Sequence, residues 1–148
     1  MIKTKLHIII FIVLLVRWII TVIILNPFLF GMKVFRLKNQ TSGEELLFDS
    51  VKTADNFFIR AFGLIFRKEP KSGEGLLFYK CKSIQTFWMR FAIDVIFLDK
   101  NNKILALFTG LRPFRITPFI KAADKALELR NSSIKNSELK LGDLLQFE

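Results

Sequence analysis

The hydrophobic pattern divides this chain into a leading apolar run and a patterned body. Leu6 to Leu25 reads LHIIIFIVLLVRWIITVIIL, with His7, Arg17 and Thr21 as its polar interruptions. Twenty such residues at ~1.5 Å rise each match a hydrocarbon core of ~30 Å, which predicts a single transmembrane helix. Arg17 near its middle costs roughly 2.5–3.5 kcal/mol, and the surrounding Ile, Leu, Val and Phe outweigh it. No small-x-small cleavage site follows, so a signal anchor is favoured over a removed signal peptide. Lys3 and Lys5 on one side nearly balance Lys33, Arg36 and Lys38 on the other, leaving orientation open. The alternative is a domain starting at Met32, which would be cytoplasmic.

Beyond residue 31 the periodicity shortens. Val34, Arg36 and Lys38 alternate with Phe35 and Leu37, predicting a strand over Lys33–Gln40; Thr41-Ser42-Gly43 turns it into a second strand over Glu45–Lys52. Thr53 or Asp55 caps a predicted helix running to Phe66, with Phe57, Phe58, Ala61, Phe62, Leu64 and Ile65 as its core face. Pro70, Gly73 and Gly75 mark a loop. Strands are predicted over Leu76–Tyr79, Ile84–Met89 and Ile93–Asp99, and Asp99-Lys100-Asn101-Asn102 is a hairpin turn into Lys103–Phe108. Pro113 and Pro118 make the next stretch an irregular crossing, and two short strands follow over Lys125–Arg130 and Asp143–Phe147. The expected class is α+β: a mostly antiparallel sheet with one principal helix, domain 32–148, behind an anchor in residues 1–31.

Composition narrows the chemistry. His7 is the sole histidine, so residues 32–148 have none. A Ser-His-Asp triad, a Cys-His pair and a His-ligated zinc site are thereby excluded from the domain. Cys81 is the sole cysteine, so no intrachain disulfide forms. No cofactor or metal set is expected. The net charge is +10; residues 1–31 hold Lys3, Lys5 and Arg17 and no acid, leaving 20 basic residues against 13 acidic and +7 on the domain. That balance suits an anionic membrane surface, an acidic partner or a small anion. Nucleic acid is disfavoured, because the cations are scattered and no nucleic-acid motif accompanies them.

Three places invite a functional reading. Alternation puts Asp94 among Ile96 and Leu98, so its carboxyl must be paired, solvated or protonated; Arg90 and Arg60 are candidate partners. Thr86-Phe87-Trp88-Met89-Arg90-Phe91 gathers aromatic, thioether and guanidinium groups suited either to a pocket floor or to core packing. Leu111-Arg112-Pro113-Phe114-Arg115 places two guanidinium groups around a stiffened bend, suited to carboxylate or phosphate. Cys81 beside Lys82 reads more simply as an inert thiol than as an activated one.

Taken in order, Arg60-Ala61-Phe62-Gly63-Leu64, Arg67, Gly73-Glu74-Gly75-Leu76-Leu77-Phe78, Cys81 through Asp99, Leu111–Arg115, Leu127-Glu128-Leu129 and Leu141-Gly142-Asp143 resemble the domain of unknown function 192 family. The chain departs from that pattern at Gln85, where His is common, at Ala92, where Pro is common, and at Phe62, where a second Arg is frequent. The resemblance implies a partly closed, barrel-like β-structure with a flanking helix and no established activity. It also implies an occasional association with envelope, pilus or secretion systems. The leading expectation is a non-catalytic, membrane-tethered accessory domain binding an envelope protein or small anion at Arg60, Trp88, Met89, Arg90, Asp94, Arg112 and Arg115. The alternatives are a hydrolase or transferase with Asp94 as base and the arginines as anion clamps, and a purely structural subunit of a surface assembly.

Overall fold

A computed structural model describes residues 33–41, 45–54 and 69–148. Its strands are β1 (Val34–Asn39), β2 (Glu45–Thr53), β3 (Glu74–Tyr79), β4 (Ile93–Leu98), β5 (Ile104–Leu111), β6 (Lys125–Arg130) and β7 (Leu145–Phe147). They form one sheet in the order β5-β4-β6-β3-β2-β1-β7. Only the β2–β3 pair is parallel among these neighbours. Its connection, residues 54–73, is long enough for the crossover that parallel neighbours require.

The two edge strands meet at one end. Lys103 bridges Leu144; the Ile104 N–H donates to Asp143 O (2.9 Å) and the Gly142 N–H to Ile104 O (3.0 Å). The sheet therefore curls into a half-barrel, and the start of β5 satisfies part of the backbone that an open edge would expose.

Local chemistry fixes the elements. The β4–β5 turn is an Asx arrangement: Asp99 Oδ1 accepts from the N–H of Asn101 (2.7 Å) and of Lys103 (2.9 Å). Asn102 takes the left-handed conformation at φ 66°, which Asn tolerates. One sheet face buries Leu37, Val51, Leu77, Ile96, Leu98, Leu127 and Leu129 in a single cluster with Ile134 and Leu139. In the central strands the other face is buried too, with Leu76, Phe78, Val95, Phe97 and Ala126. All six residues of β4 are buried, which is why IDVIFL is apolar at every position but Asp94. Gly75 is required by close approach: a Cβ there would lie 2.9 Å from Leu129 Cδ2 and 3.2 Å from Leu127 Cδ1.

Two expectations are corrected, and two others fall outside the described residues. The α+β class gives way to a β domain: the one helix among the described residues is α1 (Ser133–Asn136), four residues long. Of the expected principal helix, Thr53 ends β2, and residues 55–68 lie outside the described residues. No helix among the described residues is long and apolar enough to cross a membrane, and the run Leu6–Leu25 lies outside them as well. The strand expected over Ile84–Met89 is a loop with a single bridge, Gln85 to Ile116. Its facing segment lies between Pro113 and Pro118, which lack the N–H a longer ladder needs.

Candidate functional site

β4 and β5 end together at the Ile93–Leu111 pair, and from that end two loops diverge, residues 80–92 and 112–123. Thr86, fully buried, joins them. Its Oγ1 donates to Arg112 O (2.7 Å) and accepts from the Arg115 N–H (3.0 Å). Its own N–H donates to Arg115 O (2.9 Å), and its carbonyl accepts from the Phe114 N–H (3.0 Å). Ser83 Oγ donates to Thr117 O (3.0 Å), and the Ile84 N–H donates to Thr117 Oγ1 (2.9 Å). Buried, fully bonded hydroxyls of this kind hold loops rigidly.

On this frame stand Trp88, Phe114, Ile116 and Phe119, exposed by 71, 53, 61 and 68%. Trp88 (φ 64°) and Phe114 (φ 58°) both occupy the left-handed region. For bulky side chains that is uncommon and costs about 1–2 kcal/mol each. The same two rings meet edge to face at 5.8 Å, with Phe87 6.2 Å from Phe114. Lys82 Nζ lies 5.8 Å from the centre of the Phe119 ring. Arg90, Arg112 and Arg115 are exposed around them, and Arg115 Nη1 donates to Phe114 O (3.2 Å).

Other sequence candidates sit elsewhere. Met89 is 5% exposed and belongs to the interior. Arg60 lies outside the described residues. Asp94 is fully buried, and its partners are backbone groups rather than Arg90. Two residues of β5, Thr109 and Gly110, lie between Phe108 and Leu111 where β4 has one, Asp94, between Val95 and Ile93, and this bulge carries Gly110 at φ 60°. Asp94 Oδ1 accepts the Gly110 N–H (2.9 Å), and Oδ2 accepts the Ile134 N–H at the start of α1 (2.9 Å). Ser132, the N-cap residue, makes no capping bond of its own, so Asp94 takes that role from across the sheet. The Cys81 thiol, half-buried, donates to Ser83 O (3.3 Å). Among the described residues no three His, Cys, Asp or Glu side chains group as a metal site.

Glu128, away from this platform, is a buried acid that the strand pattern left unremarked. It lies mid-β6 between Leu76 of β3 and Val95 of β4, on the face opposite Leu127 and Leu129. It is 5% exposed, and its buried Oε2 has no hydrogen-bond partner among the described residues. Desolvation pushes its carboxyl up from 4.5 to about 8, so it holds its proton at neutral pH. Its signal was the lone acid in ALEL, a strand buried on both faces. The signal for Phe114, Ile116 and Phe119 was the acid-free run from Lys100 to Ala123.

The family model of domain of unknown function 192, described as an uncharacterised conserved family, matches residues 37–147. The chain belongs to the domain of unknown function 192 family. It is 34% identical to the UPF0127 protein of Pyrococcus furiosus over 112 residues, 74% of this chain and 95% of that one. With the UPF0127 protein of Pyrococcus abyssi it shares 35% over 100 residues, 66% of this chain and 85% of that one. Two solved structures share the fold. A Sinorhizobium meliloti protein described as a proposed transcription regulator superposes with a TM-score of 0.69 at 20% identity, covering 80% of this chain and 96% of its own. A Novosphingobium aromaticivorans protein of unknown function gives 0.65 at 19%, covering 78% and 84%. Gln85, one of this member's departures from the family pattern, is exposed and supplies the bridge to Ile116; Ala92 is half-buried just before β4.

Proposed function

We propose that this member of the domain of unknown function 192 family is a non-catalytic accessory domain that binds an anionic partner through the loop platform of Trp88, Phe114, Arg90, Arg112 and Arg115. The observation that carries the reading is the contact between Trp88 and Phe114, two exposed rings held in strained backbone by the buried Thr86. Apolar area with guanidinium groups at its rim fits a partner presenting carboxylates or phosphates beside apolar surface. In the same reading the run Leu6–Leu25 tethers the domain to a membrane and places its partner at the cell envelope. Asp94, with both oxygens taken by backbone N–H groups, supports the binding reading over general-base chemistry.

The test is titration of the full-length chain, in a mild nonionic detergent, with poly-glutamate, inositol hexakisphosphate and phosphatidylglycerol bicelles. At least one probe binds, and Trp88→Gly or Arg112→Gln with Arg115→Gln weakens it at least tenfold while the thermal transition stays. Unchanged binding in both variants would refute the reading.

A further inference from the structure

Resting on that binding reading, we propose that the platform docks on an anionic lipid bilayer, with Trp88, Phe114, Ile116 and Phe119 entering the headgroup region and the surrounding cations pairing with lipid phosphates. Charge complementarity comes first. Residues 80–93 carry Lys80, Lys82 and Arg90 and no acid; residues 110–123 carry Arg112, Arg115 and Lys121 and no acid. The two loops thus present one sign of charge around a cluster of exposed apolar side chains, the combination that interfacial binding to anionic lipid uses.

Ring geometry then separates a bilayer from a nucleic acid. Base stacking needs open ring faces. Here Trp88 and Phe114 stand at an interplanar angle of 68°, so their open faces form no common platform for successive bases, and the Lys82 ammonium lies over one face of Phe119, 5.8 Å from its centroid. Ile116, as exposed as the rings, has no face to stack. A bilayer interface needs apolar volume at the tip and an amphipathic ring at the headgroup level; Phe114, Ile116 and Phe119 supply the first and the Trp88 indole the second. Long cationic side chains around such a tip extend to the phosphates while their stems stay in apolar surroundings.

The experiment uses the full-length chain carrying Trp18→Phe, so that Trp88 is the sole tryptophan, reconstituted in nanodiscs. Discs of phosphatidylcholine alone are compared with discs containing phosphatidylglycerol. In the anionic discs Trp88 emission shifts to the blue, lipids brominated near the headgroup quench it, and iodide no longer does. In the neutral discs it stays accessible to iodide, and Arg90→Gln with Arg112→Gln and Arg115→Gln abolishes the difference. Soluble glycerol phosphate leaves the emission unmoved, which separates a lipid surface from free phosphate. If Trp88 remains open to iodide in both discs but responds to poly-glutamate, the bilayer is not the partner and the binding reading survives. A response to a single-stranded oligonucleotide in place of lipid also overturns the bilayer. No response to any probe overturns both.

Discussion

Replacing Glu128 with Gln changes how stability depends on pH, and the sign follows from burial. In the unfolded chain the carboxyl titrates at its ordinary value of 4.5; in the folded domain desolvation holds it near 8. Below pH 4.5 both states are protonated and Glu128 contributes no pH dependence. Between 4.5 and about 8 the unfolded state has lost the proton and the folded state keeps it. Stability therefore falls as pH rises, at about 1.4 kcal/mol per pH unit, and levels off above 8. At pH 7 the interval covered is 7 − 4.5, or 2.5 units, which amounts to about 3 kcal/mol. Water entering as the carboxyl ionises lowers that figure, so about 3 kcal/mol is the upper value.

Glu128→Gln keeps the shape and removes the proton equilibrium. The amide brings its own unsatisfied donors, a penalty of about 1–3 kcal/mol that does not vary with pH. The informative quantity is thus the change in the difference between the two proteins across pH, and neither absolute stability decides the matter. Urea unfolding of the full-length chain in nonionic detergent, followed by near-ultraviolet circular dichroism at pH 4.5, 6, 7 and 8, measures it. The variant gains on the parent steadily from pH 4.5 to 8, by up to about 3 kcal/mol at pH 7. Two curves parallel to within about 0.5 kcal/mol would show that Glu128 titrates normally, and the argument from its burial would be wrong.

Asp94→Asn turns one of two accepting oxygens into a donor facing a backbone N–H; the loss is about 3 kcal/mol, read as a lower urea midpoint with faster amide exchange at Gly110 and Ile134. Gly75→Ala forces a Cβ to within 2.9 Å of the buried Leu129 and destabilises by about 1–3 kcal/mol; trimming Leu129 to Val in the same chain recovers part of it. Trp88→Gly is expected to leave stability within about 1 kcal/mol of the parent, because relief of φ 64° offsets the lost ring contact and the looser unfolded chain. Thr86→Val removes the Oγ1 bonds to Arg112 O and Arg115 N and lowers stability by about 1–3 kcal/mol; increased exchange at the Arg115 amide localises the effect to the platform.

What the sequence discloses depends on how local its cause is. The Asp99 turn is legible because the side chain bonds its own neighbours two and four residues on, and the pattern DKNN carries the whole mechanism. Strand β1 is legible from its alternation of Phe35 and Leu37 with Arg36 and Lys38, and β4 from a mostly apolar stretch long for a loop and short for a helix. Asp94 is visible as an anomaly, an acid inside IDVIFL, yet its partners are not, since a bulge in β5 and a helix start 40 residues away supply them. Ile84–Met89 misleads for the converse reason. Its residues favour a strand, but a partner between two prolines cannot continue the ladder, and the chain turns Trp88 outward. That failure falls on the segment read here as functional. The local preference for a strand is overridden there, and Thr86, two residues before Trp88, ties the loop to Arg112 and Arg115, 26 and 29 residues further along the chain. Glycine at position 88 would relieve the left-handed φ of Trp88 with little net change in stability, so stability alone does not call for tryptophan there. Tryptophan at φ 64°, exposed and in edge contact with Phe114 at φ 58°, is the arrangement that the proposed anionic partner would use by covering both rings.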